Sequence, residues 1–421
     1  MTTTDTVDTV LAGLDDARPH LEDFYTDLHA HPELGLAEHR TAGRVAERLR
    51  AWGYDVTDGV GGTGVVGVLA NGDGPTVLLR ADMDALPVKE DTGLPYASTA
   101  TVTGDDGRPQ PVMHACGHDV HVTCLLGFAR LMADARDAWR GTIVPLFQPS
   151  EENSAGASAM VKDGLADRIP RPDVAFAQHV LPYPAGYVGV RPGPFLSAAD
   201  SLRITLYGRG GHGSMPQATV DPVVMAAMCV LRLQTIVSRE LTPTTPAVVT
   251  VGAVQAGSSP NVIPDTAVLL VNIRTYDDAT RRHVLDAVKR HVDAEAAASG
   301  APREPDIERF GTFPPTVNDA DVAGRLARAF AARFGDDSHE IDLQTASEDF
   351  SEIPKALDAP FAYWGIGGID PARYAEAAER GTVQRDVPVN HSPQFAPVIQ
   401  PTLDTGVTAL TVAALEWLDT H

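Results

Sequence analysis

The sequence is short of cysteine, of positive charge and of long apolar runs, and each shortage removes a class of function. Three cysteines in 421 residues, Cys116, Cys124 and Cys229, are too few and too scattered for a disulfide framework, which fits a reducing compartment. A cysteine with a role is then expected to be a ligand or a nucleophile. Lys and Arg number 33 against 56 Asp and Glu, a formal net charge of -23, and that sign repels phosphate backbones and anionic headgroups. Neither nucleic acid nor a membrane is expected as a partner. No stretch comes near the roughly 20 apolar residues of a membrane span, and the opening MTTTDTVDTV has neither the basic region nor the apolar run of a secretory signal. The expectation is a soluble, cytoplasmic chain, long enough for roughly two or three domains and a large core.

What is present alternates. Helical stripes at Leu21, Phe24, Tyr25, Leu28 and at Val45, Leu49, Trp52 take turns with strand signals ending in TVLLR, the pattern of an α/β domain. After a polar loop from Asp91 to Gln110, HACGHDVH opens a helix that keeps Leu125, Phe128 and Met132 at helical spacing. TIVPLFQ (142 to 148) and VAFAQH, ending at His179, read as buried strands. Prolines 182, 184, 192 and 194 with nearby glycines suit a hinge. From Ser201 to about Gly311 the order reads β-α-β-β-α-β, with Asp221 as N-cap and Pro222 opening the first helix, which is the ferredoxin-like arrangement. The expected architecture is α/β: a catalytic domain of residues 1–194 and 312–421, its mixed sheet flanked by helices, interrupted by an inserted ferredoxin-like α+β domain of residues 195–311.

Metal-ligating residue types cluster at five places: Asp82 and Asp84; Cys116, His118 and His121; Glu151 and Glu152; His179; His391. Four of the five adjoin expected parallel strands, and open α/β sheets bind ligands beyond the carboxyl ends of their strands. Thiolate, imidazole and carboxylate together suit two divalent ions, zinc most naturally, with manganese, cobalt or nickel compatible with the carboxylates. A metal pair about 3.5 to 4 Å apart needs about five protein ligands, and Cys116, His118, one glutamate, His179 and His391 make five. Within the doublet Glu151-Glu152, one carboxylate can bind metal while its neighbour handles a proton. Asp84 is placed to orient a ligand imidazole.

RADMDALP, HACGHDVH, FQPSEE, the lone His179, GRGGHGSMP, SPNVIPD, ASEDFS and NHSPQF stand in the order found in the M20 metallopeptidase and amidohydrolase family. The chain resembles its aminoacylase, hippurate hydrolase and auxin-conjugate hydrolase branch from about LHAHPELGLAEHRTA to His391. The resemblance implies a two-metal hydrolase of small N-acyl amino acids or related amides, with the inserted domain acting as a lid and as the interface of a homodimer. It implies that Cys116, His118, Glu152, His179 and His391 are the metal ligands, the thiolate shared, and that Glu151 is the general base and acid. By the same similarity His212 serves the partner subunit's active site, where it steadies the oxyanion, and Asn261 and Arg274 touch substrate. Two departures, Gln178 before His179 and Gln217 after Pro216, bear on substrate preference. Asp82, His114, His121 and Glu348 receive no settled role. A dipeptidase or carboxypeptidase, a thiol hydrolase using Cys116 as nucleophile, and a binding protein without turnover are the alternative readings.

Overall fold

Four runs carry the buried, largely apolar composition that parallel strands covered on both faces require: Thr76–Asp82, Trp139–Gln148, Val174–Pro184 and Phe361–Ile369. The structure, a computed structural model, describes residues 3–104 and 107–420. Asp105 and Asp106 of the polar loop, like Met1, Thr2 and His421, lie outside the described residues. The four strands are mutually parallel at the centre of a nine-stranded sheet. Asp55–Val60 and Gly64–Asn71 extend it on one side and Val188–Val190 on the other, all by antiparallel pairing, so the sheet is mixed.

Helix His118–Asp134 lies against Thr76–Asp82 and is covered in turn by Leu14–Ala30 and Ile399–Leu415. It is buried almost throughout. The burial of Leu125, Phe128 and Met132 on this helix contributes about 1.5–3 kcal/mol per side chain relative to exposure.

Two compact units divide the chain. The larger comprises Met1–Gly193, Asn318–Asp342 and Asp349–His421, and the smaller Pro194–Val317 with Leu343–Glu348. The smaller unit thus extends beyond residue 311, where the sequence suggested its end. The reason lies in its last strand, Asp306–Phe313, which stays paired with Ala198–Tyr207 as far as Phe313 opposite Ala199. Its four strands are antiparallel in the spatial order Ala247–Ala256, Thr266–Thr275, Ala198–Tyr207, Asp306–Phe313, the ferredoxin-like order, backed by helices Pro222–Thr235 and Asp278–Ala298.

One sequence expectation is corrected here. Among the described residues the helical run Pro222–Glu240 is long and apolar enough by length and composition to cross a membrane. Its helix continues through a π-helical turn, Ile236–Glu240. Met225, Ala226, Cys229, Leu233 and Ile236 on this run are buried in the core of the smaller unit, while Val224 and Leu231 are exposed.

Candidate metal centre

Register places the pieces of the site. Asp82 pairs with Gln148, and Arg80 with Ala177, so Asp82, Gln148 and His179 form one row across the sheet. Asp84 and the Glu151-Glu152 doublet follow directly from the ends of their strands. Val174–Pro184 runs past His179, where the sequence suggested it ended, because it stays paired with Phe361–Ile369 as far as Pro184 opposite Ile369. The loop with Cys116 reaches this row only through a glycine. Gly117 has φ 82°, and a Cβ there would lie 2.4 Å from Val180 Cγ1, so a side chain at this position would meet both an unfavourable backbone and a clash. The His391 backbone N–H donates to Ala115 O at 2.8 Å, clipping the last histidine to the first motif.

Ligand atoms of Cys116, His118 and His179 lie within 4.8 Å of one another, and so do those of Cys116, Glu152 and His391. The two groups share the Cys116 sulfur. Cys116 Sγ is 3.4 Å from His179 Nε2, and Glu152 Oε1 is 3.3 Å from His391 Nε2 and 3.8 Å from His118 Nε2. Glu151 joins His118 and Glu152 in a third such group, and its carboxylate also lies within that distance of Asp349. All five residues expected as ligands are thereby brought together, with Glu151 beside them.

The donor set fits metal ions. Among the described residues, His118 Nδ1 and Nε2 and Glu152 Oε1 are buried with no hydrogen-bond partner, which is costly unless something else satisfies them. Burial opposes the charge on His118, but Asp82, Asp84 and Glu152 outweigh it and raise its pKa to about 10. Burial, then the carboxylates of Glu152, Glu151 and Asp82, push the Cys116 thiol well above its ordinary value. Burial and the adjacent His121 hold His179 well below its own. The cluster thus retains protons on sulfur and imidazole against an excess of carboxylate, the situation in which a divalent cation displaces protons.

Asp82 and His121 are arranged otherwise, although their ligand atoms also lie within 4.8 Å of His118's. Asp82 Oδ2 accepts from Arg80 Nη1 at 2.7 Å, and Oδ1 takes His121 Nδ1 at 2.5 Å. His121 Nε2 accepts the Val180 N–H at 2.8 Å, so its proton resides on Nδ1 and both nitrogens are used. Burial alone would raise Asp82, but Arg80, His118 and His121 bring it well below the carboxylate range. Both residues hold the scaffold. Asp84 accepts the N–H groups of Glu151 and Glu152 at 3.1 and 3.0 Å and sits 3.3 Å from His118 Nδ1. His114 is buried, which pushes its pKa down to about 4 and keeps it neutral. Gln178 donates to Gly406 O at 3.2 Å and accepts from Trp364 at 3.1 Å. It therefore serves the core, and its expected bearing on substrate preference is not seen.

Sequence reasoning passed over Arg80, fully buried at the centre of this network and also bonded to Gln148 at 2.8 Å. Its signal was a lone cation inside an apolar strand. It also passed over Asn390, whose Nδ2 donates to Cys116 O at 3.2 Å and Val180 O at 3.1 Å; its signal was only its place beside His391.

The smaller unit carries the remaining expected residues. His212 lies on the short strand Gly211–His212, paired with Val262–Ile263, and is exposed. Its Nδ1 accepts the Ser214 N–H at 3.1 Å. The proton is then on Nε2. Asn261 O accepts the Gly213 N–H at 2.8 Å, so these two loops are tied together. Arg274 donates to Asn272 Oδ1 at 2.9 Å and Ser347 Oγ at 2.6 Å. Both partners are neutral, and among the described residues no carboxylate is paired with it. Glu348 is buried at the end of the segment Leu343–Glu348 of this unit. Gln217 is exposed in the 3-10 turn Pro216–Ala218.

The chain is 37% identical over 352 residues to the hippurate hydrolase of Campylobacter jejuni, covering 83% of this chain and 88% of that protein. It is 36% identical over 353 residues to the N-acetyl-L-cysteine deacetylase of Bacillus subtilis, covering 81% and 79% respectively. Among solved structures, a Bacillus subtilis protein described as a dinuclear metal-binding peptidase of the M20 family superimposes with a TM-score of 0.77 at 28% identity, over 97% of this chain and 100% of that one. The sequence profile of peptidase family M20/M25/M40 matches residues 78–384, most of the chain, and the protein belongs to that family.

Proposed function

We propose that the protein is a metal-dependent amidohydrolase that cleaves the amide bond of small N-acyl amino acids. Two divalent cations would be held by Cys116, His118, Glu152, His179 and His391, with the Cys116 thiolate common to both. Zinc suits this set best, and manganese, cobalt or nickel are compatible with its carboxylate. When bound, such ions supply Lewis acidity toward the scissile carbonyl and acidify the attacking water. Glu151 takes the proton from that water and returns it to the departing amine nitrogen. Asp84 fixes the backbone of the doublet and faces His118, so ligand and base keep their separate directions. His212 offers an Nε2–H donor suited to a developing oxyanion. Arg274, bonded to neutral partners, suits the substrate's carboxylate. We further infer a homodimer formed through the smaller unit.

One observation carries this reading: two ligand groups that share the Cys116 sulfur, with buried His118 and Glu152 atoms left without hydrogen-bond partners. Its names of similarity point the same way, since relatives of this chain are called a hippurate hydrolase and a deacetylase. The test pairs elemental analysis of the purified protein with a hydrolysis screen over acetyl-, benzoyl-, indoleacetyl- and long-chain acyl-amino acids and dipeptides. Turnover of acyl-amino acids that chelators abolish is expected. Glu151→Gln should keep the metal and lose at least about 10²-fold in kcat. A metal-loaded protein inert toward the whole panel, or an active Glu151→Gln, would overturn the assignment.

A further inference from the structure

Ser150 has φ 47°, a left-handed backbone that a serine holds only when its surroundings impose it. It immediately precedes Glu151 and Glu152. The constraint comes from Glu38, 112 positions away in the sequence. Glu38 is fully buried. Its Oε1 accepts the Ser150 N–H at 2.8 Å, and its Oε2 accepts the Thr63 hydroxyl at 2.5 Å. The next two N–H groups, those of Glu151 and Glu152, end on Asp84 Oδ1 and Oδ2. Three consecutive peptide N–H groups are thus gripped by two buried carboxylates from separate parts of the chain.

The segment bearing Glu38 is itself anchored to the same strand ends. Glu33 Oε1 and Oε2 accept the N–H groups of Arg40 and Thr41 at 2.9 and 2.8 Å, capping helix His39–Ala51. The Glu33 carbonyl accepts the Ala85 N–H at 2.8 Å, one residue beyond Asp84. Packing is tight between these anchors: a Cβ at Gly35 would lie 2.6 Å from Ser150 Oγ and 2.8 Å from Asn153 Nδ2.

We propose that Glu38 is a positioning residue for the Glu151-Glu152 doublet: by holding Ser150 in its left-handed conformation it sets the directions in which the two carboxylates leave the backbone. This rests on the functional reading above, in which those carboxylates are base and ligand. A carboxylate is the group that can accept from a peptide N–H and a hydroxyl at once, one on each oxygen. Glu38 touches no reacting atom, and its effect reaches the chemistry only through the turn.

The experiment compares metal-loaded wild type, Glu38→Ala and Glu38→Gln by steady-state kinetics and by amide hydrogen exchange of the peptide spanning Pro149 to Gly156. Glu38→Ala should exchange faster at Ser150–Glu152 and lose about 10- to 100-fold in kcat, the scale of a misplacement near 1 Å, with KM within about threefold of wild type. Glu38→Gln keeps an oxygen for Ser150 and an NH2 group that can donate to Thr63, so it should recover wild-type exchange and most of kcat. If Glu38→Ala does not fold, the glutamine variant decides alone. Unchanged exchange or unchanged kcat in Glu38→Ala, or a glutamine variant with kcat reduced beyond about tenfold, would overturn the proposal. A wild type inert toward N-acyl amino acids would instead sink the functional reading, and the exchange arm would still judge Glu38.

Discussion

Replacing His29 by leucine tests the other buried charge cluster beside the site. His29 Nδ1 meets Asp119 Oδ2 at 2.7 Å and its Nε2 meets Glu90 Oε1 at 3.1 Å, with all three side chains at most 1% exposed. Burial disfavours the imidazolium, yet the two carboxylates prevail and raise its pKa from 6.5 to about 10. At about 1.4 kcal/mol per pH unit, that difference is worth on the order of 5 kcal/mol. The result agrees with the roughly 3–5 kcal/mol lost when one member of a buried ion pair is removed. Leucine fills similar space and leaves Asp119 and Glu90 facing each other uncompensated. The sign of the pH dependence follows. His29 stabilises fully below the unfolded pKa of about 6.5, and that contribution drains away as pH rises toward 10. Asp119 and Glu90, both held below their ordinary values in the folded protein, contribute above about pH 4–5 and lose their share as pH falls below it. The stability gap between wild type and His29→Leu, measured by urea unfolding, should therefore be widest near pH 5–6.5 and narrow on both sides. A gap under about 1 kcal/mol, or one independent of pH, would refute a charged His29.

Asp82→Asn should retain wild-type metal content while losing about 3–5 kcal/mol of stability, because buried Arg80 keeps less countercharge. Elemental analysis beside a melting curve reads both, and metal loss at unchanged stability would make Asp82 a ligand instead. Loading the metal-free protein near pH 7 should release protons, since Cys116 and His118 both hold theirs, and apparent affinity should rise with pH. Calorimetry in buffers of different ionisation enthalpy measures that release, and heats independent of the buffer would contradict it.

Much of the architecture was legible because parallel strands covered on both faces appear as continuous apolar runs, and because ligand-type residues stand where those runs stop. The β-α-β-β-α-β order of the smaller unit was equally plain. Spacing could not separate His118 from His121, which lie three apart on one helix face. What separates them comes from other elements: the Val180 N–H and Asp82 occupy both nitrogens of His121, and nothing occupies those of His118 by hydrogen bonding. Gln178 was misjudged against a rule that was available. Successive strand residues point to opposite faces, so a glutamine before a site-facing His179 belongs to the core. Glu38 left no local signature and Asn390 only its place beside His391, since each acts on backbone groups more than a hundred positions away.

The larger unit is assembled from three separate stretches of chain, and this orders events during synthesis. Cys116, His118, Glu152 and His179 leave the ribosome well before His391, which follows the whole of the smaller unit. That smaller unit, drawn mostly from the unbroken run Pro194–Val317, has all its strands while its host still lacks Phe361–Ile369 from the middle of the sheet. On the ligand set proposed above, a cation that meets the nascent chain finds four of the five donors, and His391 supplies the fifth last.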